Sequence, residues 1–209
     1  MRKEAAVPSL IGHLDAATRR QLLDDLNYLN ISEFRGFCQR HSIPFTIWVE
    51  TKDGRKRTRD TDRKAIVLDR IRHYLKTGRV PEATCFARDV VAPGDPPSRW
   101  TANTRLYYGW YHRGDEALLE TLRRLTGGAY RDGAIARLLL RELWTAGEAP
   151  TLKEYASRWS EETERGLGPH PEAAWLTDRA NQDTGPDWKA KRVRKARGVL
   201  RHLDKIPAP

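Results

Sequence analysis

The chain has 209 residues, of which 39% are apolar and 32% charged, enough for about one or two small folded domains with a heavily solvated surface. It holds no run of about 18 apolar residues and only two cysteines, Cys38 and Cys85, far apart and outside any CxxC pair, which excludes a membrane-spanning helix and a disulfide framework. Its net charge of +10 and pI near 9.9 favour a polyanionic partner, nucleic acid first.

Residues 1–8 are expected to fray, and they lack the apolar core of a signal peptide. Leu10, Leu14, Leu22, Leu23, Leu26 and Leu29 recur at helical spacing, so a helix is expected from an Asp15 N-cap to about Tyr28. A short helix capped by Ser32 follows, with Ile31, Phe34, Phe37 and Cys38 on one face and Arg35, Gln39 and Arg40 on the other, ended by Pro44. Phe45 to Val49 is aromatic and β-branched, and Asp53-Gly54 signals a hairpin turn whose second arm carries Arg55, Lys56, Arg57 and Arg59. A closing helix capped by Thr61 or Asp62 buries Val67, Leu68, Ile71, Tyr74 and Leu75 and stops at Gly78 and Pro81.

Residues 30–77 resemble a SAP-type module, a helix, extended loop and helix that binds DNA. The resemblance lies in Ser32 to Pro44 for the first helix and its exit turn, and in Thr61 to Ile71 for the second helix. Gly54, Arg55 and Lys56 stand nearest to the glycine and lysine that this family places before its second helix, in a loop several residues longer. The resemblance implies duplex contact from the loop and the start of the second helix.

Pro81 to Pro97 reads as a connector. A second unit follows, with Trp100, Tyr107, Tyr108, Trp110 and Tyr111, then Leu118, Leu119, Leu122 and Leu125, and a turn at Gly127-Gly128. A helix is expected over 132–146, with Ile135, Leu138, Leu139, Leu143 and Trp144 as its apolar face, and another after Thr151, with Glu154 completing a capping box. Phe86 to Val91 together with Thr151 to Trp159 are loosely similar to an uncharacterised bacterial helical domain found after SAP-like modules. Residues 161–187 read as a loop, and Trp188 to Leu203 as a basic helix with a thin apolar stripe of Val193, Leu200 and Leu203, joined by Trp188 or Ala196.

These readings give a mainly α chain: a small helical N-terminal module with a basic β-hairpin insertion (residues 1–80), a connector (81–97), a second small helical domain (98–165), and a loop with a basic C-terminal helix (166–209). The charge is segregated. Residues 31–80 carry 13 basic and 6 acidic groups, net +7, and residues 181–209 carry 8 and 3, net +5. Mere solubility does not require that segregation, and phosphate contact does.

The first contact is expected from Arg55, Lys56, Arg57, Arg59, Arg63 and Lys64, where a strand puts alternate arginines on one face and a helix start offers free N–H groups. An auxiliary contact is expected from Lys191, Arg192, Arg194 and Lys195. A solvated edge strand and a solvated helix are the competing readings. Trp48 either anchors the hairpin or stacks on a base, and the aromatics of 100–111 either fill a core or line a groove.

Catalysis finds no footing in the sequence. The histidines show no HExxH spacing, no GxSxG elbow is present, and no GK[ST] follows Gly127-Gly128. Asp60, Asp62 and Asp69 are explained by capping and surface pairing. The expectation is therefore a non-catalytic, cytoplasmic and nucleoid-associated DNA-binding protein, without cofactor or metal, contacting duplex backbone with weak sequence preference. An adaptor docking an acidic protein partner, or an RNA-binding protein, are the alternatives.

Overall fold

The computed structural model describes residues 9–112, 114–165, 178 and 185–208. The expected fraying of 1–8, and Gly166, Gly168, Pro169 and Pro171 of the expected loop, lie outside the described residues. The chain divides into two compact units: Met1–Thr46, Asp60–Ala83 and Pro169–Pro209 form the first, and Ile47–Arg59 with Thr84–Gly168 form the second.

The first unit is built on helices. α1 (Ala16–Asp25) starts at Asp15, whose carboxylate accepts from the Thr18 amide, as expected of an N-cap. α2 (Ile31–Arg40) is capped by Asn30 rather than Ser32, in a capping box closed by Glu33. α3 (Lys64–Thr77) ends on Gly78, whose φ of 65° is the left-handed conformation glycine adopts freely. α7, the C-terminal helix Trp188–Leu203, belongs to this unit and packs on α1.

The core explains the arrangement. Phe34, Phe37 and Cys38 of α2 meet Val67, Leu68, Ile71, Tyr74 and Leu75 of α3, while Leu22, Leu26 and Leu29 meet Ala196, Val199, Leu203 and Ile206. Ala196, Val199 and Leu203 follow i, i+3, i+7 spacing, so one face of α7 is apolar. Val193, expected in that stripe, is exposed, and so is Ile31 of α2. Burying each large apolar side chain contributes about 1.5–3 kcal/mol, so α7 is an integral part of this core.

The second unit corrects the mainly α expectation. β1 (Thr46–Thr51) and β2 (Gly54–Thr61) form the hairpin, but β1 also pairs in parallel with β3 (Cys85–Phe86), Trp48 opposite Cys85 and Val49 opposite Phe86. The result is a mixed three-stranded sheet in the order β2-β1-β3 beside a helical majority. β3 is two residues long and lies in the stretch that reads as a connector, too short for any periodicity to reveal. The hairpin therefore groups with the second unit through β3.

α4 (Glu116–Leu125), α5 (Ala134–Thr145) and α6 (Leu152–Arg165) complete this unit. Asp115 caps α4 and receives the Trp100 indole N–H, while Thr151 and Glu154 form the expected capping box of α6. Ile47 and Val49 share a core with Phe86, Trp100, Leu118, Leu122, Tyr130, Leu140, Trp144, Tyr155 and Trp159. No described helix is long and apolar enough to cross a membrane.

Candidate nucleic-acid interface

Strand alternation sorts the hairpin into two faces. Ile47 and Val49 turn into the core, which leaves Trp48 and Glu50 on the opposite face. Arg55 comes to 4.0 Å from Glu50, so this second face also carries Arg55 and, by alternation, Arg57 and Arg59. All of these arginines, and Lys56, are exposed. Thr58 donates to the Ile47 carbonyl at 2.8 Å and holds the arms together. The turn closes through Thr51, whose hydroxyl donates to the Gly54 carbonyl at 2.7 Å, with Gly54 at φ 108°, a conformation only glycine adopts without strain.

The charge of the second unit sits on this hairpin. Residues 47–59 carry 5 basic and 2 acidic groups, net +3, whereas residues 84–168 carry 12 of each. Lys56 and Arg59 hold no side-chain bond to any described residue. Trp48 is half-buried and belongs to neither hydrophobic core.

Arg63 and Lys64, expected in the same cluster, belong to the first unit. Arg63 is the N-cap of α3 and Lys64 donates to the Asn27 carbonyl at 2.6 Å. Both are half-buried and engaged within the protein. Asp62 does not cap α3. Its carboxylate, almost wholly buried, is 2.6 Å from Arg70, which also donates to the Pro44 carbonyl at 2.9 Å. Asp69 pairs with Arg72 at the surface, as expected.

The auxiliary set on α7 splits in the same manner. Arg192 is bound to Glu33, Lys195 to Asp25 at 2.7 Å, and Lys191 to Asp178 at 3.2 Å, all half-buried. Asp178 also accepts from the Tyr28 hydroxyl at 2.7 Å and the Trp188 indole at 2.8 Å. Burial alone would raise its carboxyl, and these hydrogen bonds outweigh it and hold the group below the ordinary value of 3.8. Only Arg194 of the expected auxiliary set remains exposed and unbonded among the described residues. Lys189, Arg197 and Arg201, cations of the same basic helix that the expected auxiliary set leaves out, are exposed in the same way.

The aromatic run of 100–111 is largely packing. Trp100, Tyr107 and Trp110 meet edge to face, and Tyr111, Tyr130 and Asp132 form a hydroxyl–carboxylate cluster with 2.8 Å bonds. Tyr107 also borders cavities of about 440 and 660 Å³, which share Asp89 and mix Arg88, Arg105 and Arg158 with Glu50, Glu148 and Glu154. That even charge mixture does not select a polyanion. Among the described residues no His, Cys, Asp and Glu cluster could hold a metal ion. No family model, curated protein or solved structure matches the chain.

Proposed function

We propose that this chain binds nucleic acid, duplex DNA first, by laying the Arg55–Arg57–Arg59 face of the hairpin against the phosphate backbone, with the long Lys56 side chain reaching round from the opposite face. One observation carries the reading: a hairpin of 13 residues holds the whole net charge of an otherwise neutral unit, on side chains that are exposed. An edge strand protected against aggregation needs a charge or two, and this one carries a basic group at four of its first six positions. Flexible guanidinium groups on a twisted strand contact phosphates without reading base edges, so the sequence preference is weak.

Trp48 shares that face and offers a stacking surface to an unpaired base. The SAP-like reading adds α2 and α3 as the support of a DNA-binding module. The protein takes part in no catalytic step in this reading, and works in the cytoplasm on the nucleoid.

Fluorescence anisotropy of a labelled duplex, titrated at several salt concentrations, tests the proposal. Arg55/Lys56/Arg57/Arg59→Ala is expected to weaken binding and to flatten the log–log salt slope by about 0.9 for each phosphate that is no longer neutralised. Equal slopes for variant and wild type, or no wild-type binding at low salt, overturn it. Competition with unlabelled RNA duplex separates DNA from RNA, and retention of affinity for an acidic peptide alone would favour the adaptor.

A further inference from the structure

α7 uses its cations on two sides for different ends. Lys191, Arg192 and Lys195 are spent on Asp178, Glu33 and Asp25. Lys189, Arg194, Arg197 and Arg201 are exposed, and their side chains bond to no described residue. Gly198 lies among them. Arg194 is four residues before it and Arg201 three after, so both flank it on one helix face, about 10 Å apart along the axis at 1.5 Å per residue.

The glycine itself is unexplained by the fold. A helix-interior glycine is destabilising relative to alanine. A Cβ built at Gly198 would meet nothing within 4 Å, so no neighbour in the described structure requires its absence. Gly198 also borders a crevice of about 120 Å³ between α7 and α1, lined by Thr18, Gln21, Leu22, Asp25, Val199 and His202. At about 30 Å³ per water the crevice has room for roughly four small polar atoms. Its one carboxylate, Asp25, is already neutralised by Lys195, and the nearby Asp204 by Arg40.

We propose that this face of α7 is a phosphate-binding site, in which a nucleic-acid phosphodiester sits over the bare backbone at Gly198 between the Arg194 and Arg201 guanidinium groups, with Arg197 at the rim, the His202 ring one turn further along α7 and the Gln21 amide of α1 across the crevice. The absent side chain lets the phosphate approach the helix closely, and a pair of arginines one helical turn to either side supplies the charge. The site deepens the nucleic-acid reading and rests on it, but it is formed within the first unit from residues other than the hairpin.

The test is the same anisotropy titration with Gly198→Ala, with Arg194→Gln/Arg201→Gln, and with the hairpin variant in parallel. Gly198→Ala is expected to raise Tm by about 2–4 °C, because alanine favours the helix, while weakening duplex binding. A residue kept for packing alone would not move those two readouts in opposite directions. Arg194→Gln/Arg201→Gln is expected to weaken binding about threefold to tenfold per arginine and to flatten the salt slope by about 0.9 for each.

Unchanged affinity and slope in both α7 variants overturn this site, whatever the hairpin variant does. Weaker binding by the α7 variants, with none of it in the hairpin variant, supports the site and removes the hairpin reading. Inorganic phosphate, compared with chloride at matched ionic strength, distinguishes the source. A phosphate-dependent rise in Tm that Arg194→Gln/Arg201→Gln abolishes, in a protein that binds no duplex, would overturn nucleic acid as the ligand.

Discussion

The Arg70 guanidinium lies 2.6 Å from the Asp62 carboxylate, with only 8% and 2% of the two side chains exposed. Asp62 directly follows β2, and its backbone N–H donates to the Phe45 carbonyl just before β1. The pair thus ties the segment that follows β2 to α3 within the first unit.

Breaking one member of a buried pair leaves the other charge uncompensated, which costs about 3–5 kcal/mol, while replacing both with apolar groups is often neutral. Asp62→Ala is therefore expected to lower the urea midpoint sharply, and Asp62→Leu/Arg70→Met to recover most of the loss. A single variant that unfolds like wild type would show the pair to be dispensable.

The C-terminal helix yields a second prediction. Leu203 is fully buried at the end of the α7 stripe, in a core shared with Leu22, Leu26 and Leu29. Leu203→Ala is expected to destabilise the protein by about 2–5 kcal/mol in urea unfolding. A helix lying loosely in solvent would tolerate the change within about 0.5 kcal/mol.

Much of the secondary structure is legible along the chain because local signals are strong there. Asp15, Gly78 and the Thr151/Glu154 box mark helix ends by chemistry confined to a few residues. The Asp53-Gly54 turn likewise marks the hairpin. What the sequence hides is long-range. Nothing near Cys85 and Phe86 says that they pair with Trp48 and Val49, and nothing near Lys195 points to Asp25, 170 residues away. The same limit applies to the candidate interface. Arg55 to Arg59 are recognisable as a basic strand, but which cations of α7 are consumed by Glu33, Asp25 and Asp178 depends on tertiary partners.

The tyrosine cluster predicts an alkaline limit. Burial is the largest cause that raises the Tyr111, Tyr130 and Tyr155 phenols above their ordinary value of 10.0. A raised folded-state value means that the folded protein favours the neutral phenol. Their contribution is complete below pH 10 and is lost as pH rises towards the folded-state values. Ultraviolet titration is expected to show these phenols ionising only as the near-ultraviolet circular dichroism collapses. Early ionisation of all seven tyrosines of the chain, with the fold intact, would contradict the burial.

Asp178 sets the opposite, acidic limit. Its folded-state value is held below 3.8 by the Tyr28 hydroxyl, the Trp188 indole and the Lys191 ammonium, which overcome the cost of burial. The carboxylate therefore adds stability that is fully present above pH 4 and is lost as pH falls from 3.8 through the lower folded-state value. Asp178→Asn removes the charge while keeping the shape. It is expected to lower Tm at pH 7, and the gap from wild type should narrow as pH falls from 3.8 through the lower folded-state value and the native carboxylate becomes protonated. A gap that stays constant across that range would mean that the hydrogen-bond geometry, and not the charge on Asp178, ties α7 to Tyr28.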